Sequence, residues 1–349
     1  MSDAVYKKTA VVGFDGAVDT RAKVIKKGEE SGYYSSVPDF GLELAAHAGK
    51  NCSFELEKLS VRFGGNAPLI ANALSSMGTE TICIGTMGAE ELHPVFGEVK
   101  SRKISYGDPA STLALEFEDG KTFLEENPDV PDAWEKVSRA VERETGAPSR
   151  KLFQKADLLA VVNWSELPYA GKLWKDLYLD CFADEPSDFS RYVFFDLCDI
   201  SRRSAGECRE VLSLIAAFSK KRRSTLGLNR NEAETVGKIL GCGPELREVL
   251  RKLQTEYGPA EVLVHTRNEN LLYTRQGMLF SQNVSLVEKP AVLTGAGDHF
   301  SAAYCRALLL GLGDEERLLF ATEYAGNYVR TGKTEWQRDG ASVIENQRK

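Results

Sequence analysis

Asp157-Leu158-Leu159-Ala160-Val161-Val162-Asn163 and Tyr192-Val193-Phe194-Phe195-Asp196 decide the fold. Each is an unbroken apolar run bounded by polar residues. A strand that faces water on one side alternates apolar and polar residues; these do not, so they suit a sheet covered on both faces. Helical periodicity fills the gaps around them, at Leu173 to Leu179 and Cys208 to Phe218. Further strands read at Ala10 to Phe14, Thr81 to Gly88, Thr225 to Leu228 and Ala260 to His265. Strands alternating with helices predict a doubly wound α/β architecture, a mostly parallel sheet with helices on both faces and right-handed crossovers.

Composition narrows the function. The 349 residues are 42% hydrophobic and 27% charged, an ordinary globular balance. A net charge of −7 gives no attraction to nucleic acid or anionic membranes. Lys220-Lys221-Arg222-Arg223 is the one compact basic run and reads as a solvated helix end. Seven scattered cysteines with no C-x-x-C pair suggest neither zinc nor a disulfide framework. Met1 to Thr9 carries no apolar signal core and no run reaches membrane-spanning length, so a cytoplasmic location is expected.

In such sheets ligands bind beyond the carboxyl ends of strands. Thr294-Gly295-Ala296-Gly297-Asp298-His299-Phe300-Ser301 follows a plausible strand at Val284 to Glu288 and opens an apolar helix running to Leu312. Free amides and the helix dipole there favour an anion, and Gly295 and Gly297 let backbone approach it. Asp298 holds a carboxylate at the same spot, which suits phosphoryl transfer to an alcohol; a plain capped helix start is the alternative. Asp15 and Asp19 trail the first strand, as ligands to hydroxyls or as surface turn acids. Gly64-Gly65-Asn66 opens an Ala-rich helix ending near Met77-Gly78, where Asn66 reads hydroxyls or caps the helix. Asn229 and Glu232 share a helix face at another strand end; they suit water-mediated Mg²⁺ or a capping box. Glu118-Asp119-Gly120 between alternating runs predicts a hairpin. Residues 20–62 are polar and irregular apart from a helical patch at Phe40 to His47.

Taken together, the run Gly295-Ala296-Gly297-Asp298-x-Phe300, with Asp19, Gly64-Gly65-Asn66 and Asn229-x-x-Glu232 before it, resembles the ribokinase-like (PfkB) family of carbohydrate and nucleoside kinases. The resemblance spans roughly Val11 to Thr331 and treats residues 1–349 as one ribokinase-like domain with a small β lid from parts of about 20–62 and 104–126. It implies Asp298 as catalytic base and Gly295, Ala296 and Gly297 as anion hole. It places Asp15, Asp19, Gly64, Gly65 and Asn66 at the acceptor, Asn229, Thr266 and Asn327 at the nucleotide, and Glu232 at the metal. It implies ATP, Mg²⁺, a monovalent cation (K⁺) near the glycine turn and a homodimer through the lid. Val292-Leu293 stands where the family usually has Asp-Thr. His299 is expected beside the chemistry or at the surface, not in it. The expected activity is ATP-dependent phosphorylation of a sugar hydroxymethyl group. A nucleoside acceptor stays open because residues 21–60 exceed the cover a bare sugar needs, and an idle binding protein is the alternative outside enzymes.

Overall fold

A computed structural model describes residues 8–27, 32–292 and 294–336; most of the N-terminal stretch examined for a signal, and Leu293, lie outside the described residues. The chain begins with β1 (Thr9–Gly13), β2 (Ala17–Lys26), β3 (Gly32–Tyr33), α1 (Val37–Ala46) and β4 (Glu55–Gly64). It continues through α2 (Asn66–Ser76), β5 (Glu80–Thr86), β6 (Arg102–Gly107), β7 (Ala110–Glu116) and β8 (Lys121–Glu126). Next come α3 (Ala133–Thr145), α4 (Ser149–Lys155), β9 (Leu158–Val161), α5 (Ala170–Cys181), β10 (Tyr192–Asp196) and α6 (Ala205–Ser219). It closes with β11 (Arg223–Asn229), α7 (Arg230–Leu240), α8 (Leu246–Tyr257), β12 (Glu261–His265), β13 (Glu269–Thr274), β14 (Leu279–Asn283), α9 (Ala296–Leu309) and α10 (Asp314–Thr331).

The large sheet has nine strands in the order β14-β13-β12-β11-β10-β9-β1-β5-β6. From β6 to β12 every neighbouring pair is parallel, and β13 and β14 add antiparallel. Successive side chains of a strand leave opposite faces. Val11, Leu159, Val161, Val193 and Phe195 accordingly pack with Trp174 of α5 and Phe218 of α6. Val12, Leu158, Ala160 and Phe194 pack on the other face with Ile70 of α2, Tyr304 of α9 and Phe320 of α10. This is the doubly covered sheet that the unbroken apolar runs predict.

A second, five-stranded sheet joins β3, β2, β7 and β8, with β4 paired along β2. β2 and β7 are parallel across a long sequence interval, and the Glu118–Gly120 hairpin belongs here, not at the edge of the large sheet. Asp119 Oδ1 accepts from Val37 N at 2.9 Å, which fixes the start of α1. Ala22, Val24 and Leu115 are buried beneath Tyr34 and Phe40 on one face.

Of residues 104–126, those up to Gly107 belong to the large sheet as β6 and the rest carry β7 and β8 of the small one. Three readings change. The described part of residues 20–62 is more regular than its composition suggests, holding most of two ten-residue strands, β2 and β4, besides α1. Val284 to Glu288 is not a strand: Val284 N makes one last bond to Asn268 O at 2.8 Å and the chain leaves the sheet edge. The basic run is a helix end but not solvated. Lys221 Nζ donates to Glu185 O at 2.7 Å, Arg222 is buried against Glu185 at 2.9 Å, and Arg223 pairs with Glu261 at 2.6 Å. No helix among the described residues is long and apolar enough to cross a membrane.

Candidate active site

The carboxyl ends of β1, β9, β10, β11 and β12 face one cleft, and α2 and α9 start beside it. Asp15, just past β1, is buried and accepts three bonds at 2.7 Å, from Asn66 N, Ala67 N and Asn163 Nδ2. It thus caps α2, whose own N-cap residue, Gly65, has no side chain to do so. Burial raises its carboxyl to about 6 against the lowering by Asn163. The double glycine now has a cause. A Cβ on Gly64 would lie 2.3 Å from Asp19 Oδ2, and one on Gly65 2.7 Å from Asp15 Oδ2. Both carboxylates lean on bare backbone. Asp19, on β2, is bonded by the Thr112 side chain and raised chiefly by burial.

The glycine turn is held from behind. Gly295 has φ 86°, and a Cβ there would meet Tyr328 Oη at 3.2 Å and Leu69 Cδ1 at 3.7 Å, so α10 and α2 both close on it. Tyr328 donates to Thr294 O at 3.2 Å. His299 is buried, not at the surface: Nδ1 donates to Gly295 O at 2.8 Å and Nε2 accepts from Thr334 Oγ1 at 3.1 Å. Burial lowers it to about 4, which keeps the ring neutral, and it stacks on Tyr328 with centroids 3.5 Å apart. The His265 ring lies against Gly297 and is likewise lowered to about 4 by burial.

Asp298 occupies the first turn of α9. Its Oδ1 is buried without a partner among the described residues. Burial, then the charges of Asp196 and Asp15, push this carboxyl well above the ordinary range. Asp196, the last residue of β10, accepts from Cys198 N at 3.0 Å and from the Ser301 hydroxyl of α9; burial raises it to about 6. Asn229 and Glu232 form the capping box: Glu232 N donates to Asn229 Oδ1 at 2.9 Å and Asn229 N to Glu232 Oε2 at 2.8 Å. Burial and the neighbouring Asp196 raise Glu232 to about 9.

Asp15, Asp19, Gly64, Gly65, Asn66 and Gly295 to Asp298 are therefore brought together, and Glu232 joins them through Asp196. Thr266 and Asn327 sit one residue from His265 and Tyr328, on the rim. The Thr266 hydroxyl is occupied in its own turn, donating to Glu269 O at 2.6 Å and accepting from Glu269 N at 3.0 Å. Asn327 is half-buried on α10. Sequence reasoning missed Asn163, Glu166 and Asp196. Asn163 and Asp196 end apolar strand runs, a signal open to reading. Glu166, which touches Asn163 Nδ2 at 3.2 Å and whose charge acts on Asp15, Asp19 and Asp196, has no such mark. No group of three His, Cys, Asp or Glu among the described residues could hold a metal ion unaided.

Comparison with known proteins identifies the family and the fold. The family model for prokaryotic ketohexokinase matches residues 1–345. A ketohexokinase of Haloferax volcanii is 26% identical over 330 residues, 92% of this chain and 86% of the relative. Among solved structures, a ribokinase of Thermotoga maritima superposes with a TM-score of 0.65 at 17% identity, covering 98% of this chain and 100% of its own. A nucleoside kinase of Burkholderia thailandensis in complex with inosine gives 0.63 at 14% identity and 97% of each chain. These structures share the fold. With the match across residues 1–345, the chain belongs to the prokaryotic ketohexokinase family, and through it to the ribokinase-like (PfkB) carbohydrate kinases.

Proposed function

We propose that this chain is an ATP-dependent ketohexokinase, moving the γ-phosphoryl group of ATP to a hydroxymethyl oxygen of a ketohexose. The observation that carries the reading is the unpartnered, buried Oδ1 of Asp298 at the first turn of α9. An orphaned buried carboxylate oxygen is costly unless a ligand completes it. In the proposed reaction the acceptor hydroxyl gives its proton to Asp298 and its oxygen bonds phosphorus, while the bond to the ADP oxygen breaks. The amides of Gly295, Ala296 and Gly297, free of intrahelical partners, stabilise charge on the moving group. Asp19, oriented by Thr112, accepts from acceptor hydroxyls; Asn66 and Asn163 line the same pocket. Asp15 fixes α2 and reaches the acceptor only through that helix.

The donor set fits a divalent cation. Asp196 and Glu232 are two buried carboxyls raised by their surroundings, and positive charge beside them relieves that repulsion. When bound, Mg²⁺ supplies charge neutralisation for the phosphates. Asn229, Thr266 and Asn327 border the nucleotide in this reading. No monovalent cation enters it, since Val292 stands where the family has Asp. The small sheet serves as lid, and its exposed Val61 and Leu124 support pairing of two copies through it. The segment that kept nucleosides in view, residues 21–60, carries parts of β2 and β4 and the whole of α1.

The test is ATP turnover with ketohexoses, aldohexoses, ribose and nucleosides under identical conditions. A rate with ketohexoses well above the rest is expected. Turnover of a nucleoside and no sugar moves the assignment to nucleoside kinase, and no turnover with any leaves a binding protein.

A further inference from the structure

The small-sheet registers align four polar residues in one row. Asp19 lies opposite Arg62 of β4 and beside Thr112 of β7, and Thr112 lies opposite Glu125 of β8. Paired positions project to the same side of a sheet, so Arg62, Asp19, Thr112 and Glu125 share one face. The neighbouring pair, Val18 and Phe63, leaves on the other side and packs into the core of α2 and α9. The polar row faces the cleft. At one end Glu125 accepts from Arg202, in the short helical turn Ile200–Arg202 after β10, at 2.8 Å. In the middle Asp19 rests on Gly64. At the other end the Arg62 charge acts on Tyr328, the residue that bonds Thr294 and abuts Gly295.

Three members of the row are accounted for: Asp19 reads hydroxyls, Thr112 orients it, and Glu125 ties the small sheet to the body. Arg62 is exposed and has no hydrogen bond or ion pair among the described residues, although a carboxylate stands directly across from it. Its charge is felt at Tyr328, whose hydroxyl bonds Thr294 O behind the glycine turn. A guanidinium is permanently charged and presents a rigid fork of donors that fits phosphoryl oxygens bidentately.

We propose that Arg62 is a further catalytic residue, carried by the small sheet to the phosphoryl group in transit. The proposal rests on the kinase reading above. Arg62 keeps all its protons and neutralises charge spread over the equatorial oxygens as the bond to the acceptor forms and the bond to ADP breaks; the acceptor proton still goes to Asp298. Because Arg62 and Asp19 are paired neighbours, hydroxyls bound at Asp19 hold β2 and β4 in the place where Arg62 meets the phosphoryl group. Acceptor occupancy and charge supply are thereby coupled.

The experiment compares wild type, Arg62→Met and Arg62→Lys for kcat, acceptor KM and inhibition by the phosphorylated product, using the sugar that the wild type turns over fastest. Arg62→Met should lower kcat by about 10²-fold, the scale for removing one charge-stabilising donor, with acceptor KM held. The phosphorylated product should inhibit it far more weakly, while affinity for the unphosphorylated sugar holds. Arg62→Lys, retaining charge but not the fork, should fall between. Melting temperatures should match, as the side chain is exposed. Wild-type kcat and product inhibition in Arg62→Met overturn the proposal, as does lost sugar affinity with kcat retained. A wild-type chain that phosphorylates nothing fells the kinase reading instead, and this proposal with it.

Discussion

Asp298 joins two properties that rarely coexist in a side chain kept only for stability: it is ionisable, and one of its oxygens is buried without a partner. Asp298→Asn preserves shape and removes proton acceptance. Turnover should fall by about 10²-fold or more, the scale of a general base, while the free protein melts no lower, since an amide needs no ionisation. Near-normal turnover would leave Asp298 a helix-start residue and nothing more. The neighbouring carboxyls give a pH signature. Asp15 and Asp196 titrate at about 6 and Glu232 at about 9 in the native chain, all above unfolded values near 4. The native state therefore binds protons that the unfolded chain has released. The stability these three groups contribute is fully present below those unfolded values and is lost as pH rises through about 6 for Asp15 and Asp196 and through about 9 for Glu232. Glu232→Gln, which can still cap α7, should flatten the upper part of a melting-temperature profile against pH and raise the magnesium needed for half-maximal rate. A lower melting temperature with unchanged magnesium dependence would make Glu232 a cap alone. Asp298, Asp15 and Glu232 were legible because each stands beside glycines or at a strand end. Glu166 was not, because its place depends on how the β9–α5 connection folds back.

At the level of elements, the doubly covered sheet was plain from two apolar runs, since only burial on both faces tolerates such composition. The small sheet was harder. β2 hides its apolar face in alternate positions, Val18, Ala22 and Val24, among charged residues, and β4 mixes polar and apolar residues while exposed along most of its length. Val284 to Glu288 failed in the opposite way: its composition suits a strand, but β14 already forms the edge and no further neighbour remains. Local pattern reports what a segment tolerates, not which partner is vacant. The glycine pair between β4 and α2 offers a test. Gly64→Ala brings a methyl group 2.3 Å from Asp19 Oδ2, so the carboxylate must swing away. Acceptor KM should rise by about tenfold or more, the scale of an unpaired hydroxyl site, with ATP KM nearly unchanged. Equal losses for both substrates would place Asp19 outside the acceptor pocket.

Across the whole molecule, the two sheets divide the cleft: Asp298, the glycine turn, Asp15, Asp196 and Glu232 stand at the strand ends of the large one, and the small one carries the polar row with Asp19. If two copies pair through the small sheet, Val61→Lys with Leu124→Lys should halve the mass seen by light scattering and leave the melting temperature of the large sheet's core in place. A dimer that persists puts the interface elsewhere. The connections have a consequence of their own. The chain leaves the large sheet after β1 and after β6, and returns through Gly65 and through the segment before α3, so four backbone strands tether the smaller body to the larger one. The smaller body also has few buried apolar residues of its own. Its amides should exchange with heavy water through openings far shallower than global unfolding, and a bound acceptor should slow that exchange in β2, β4 and β7 well before it protects β9 or β10.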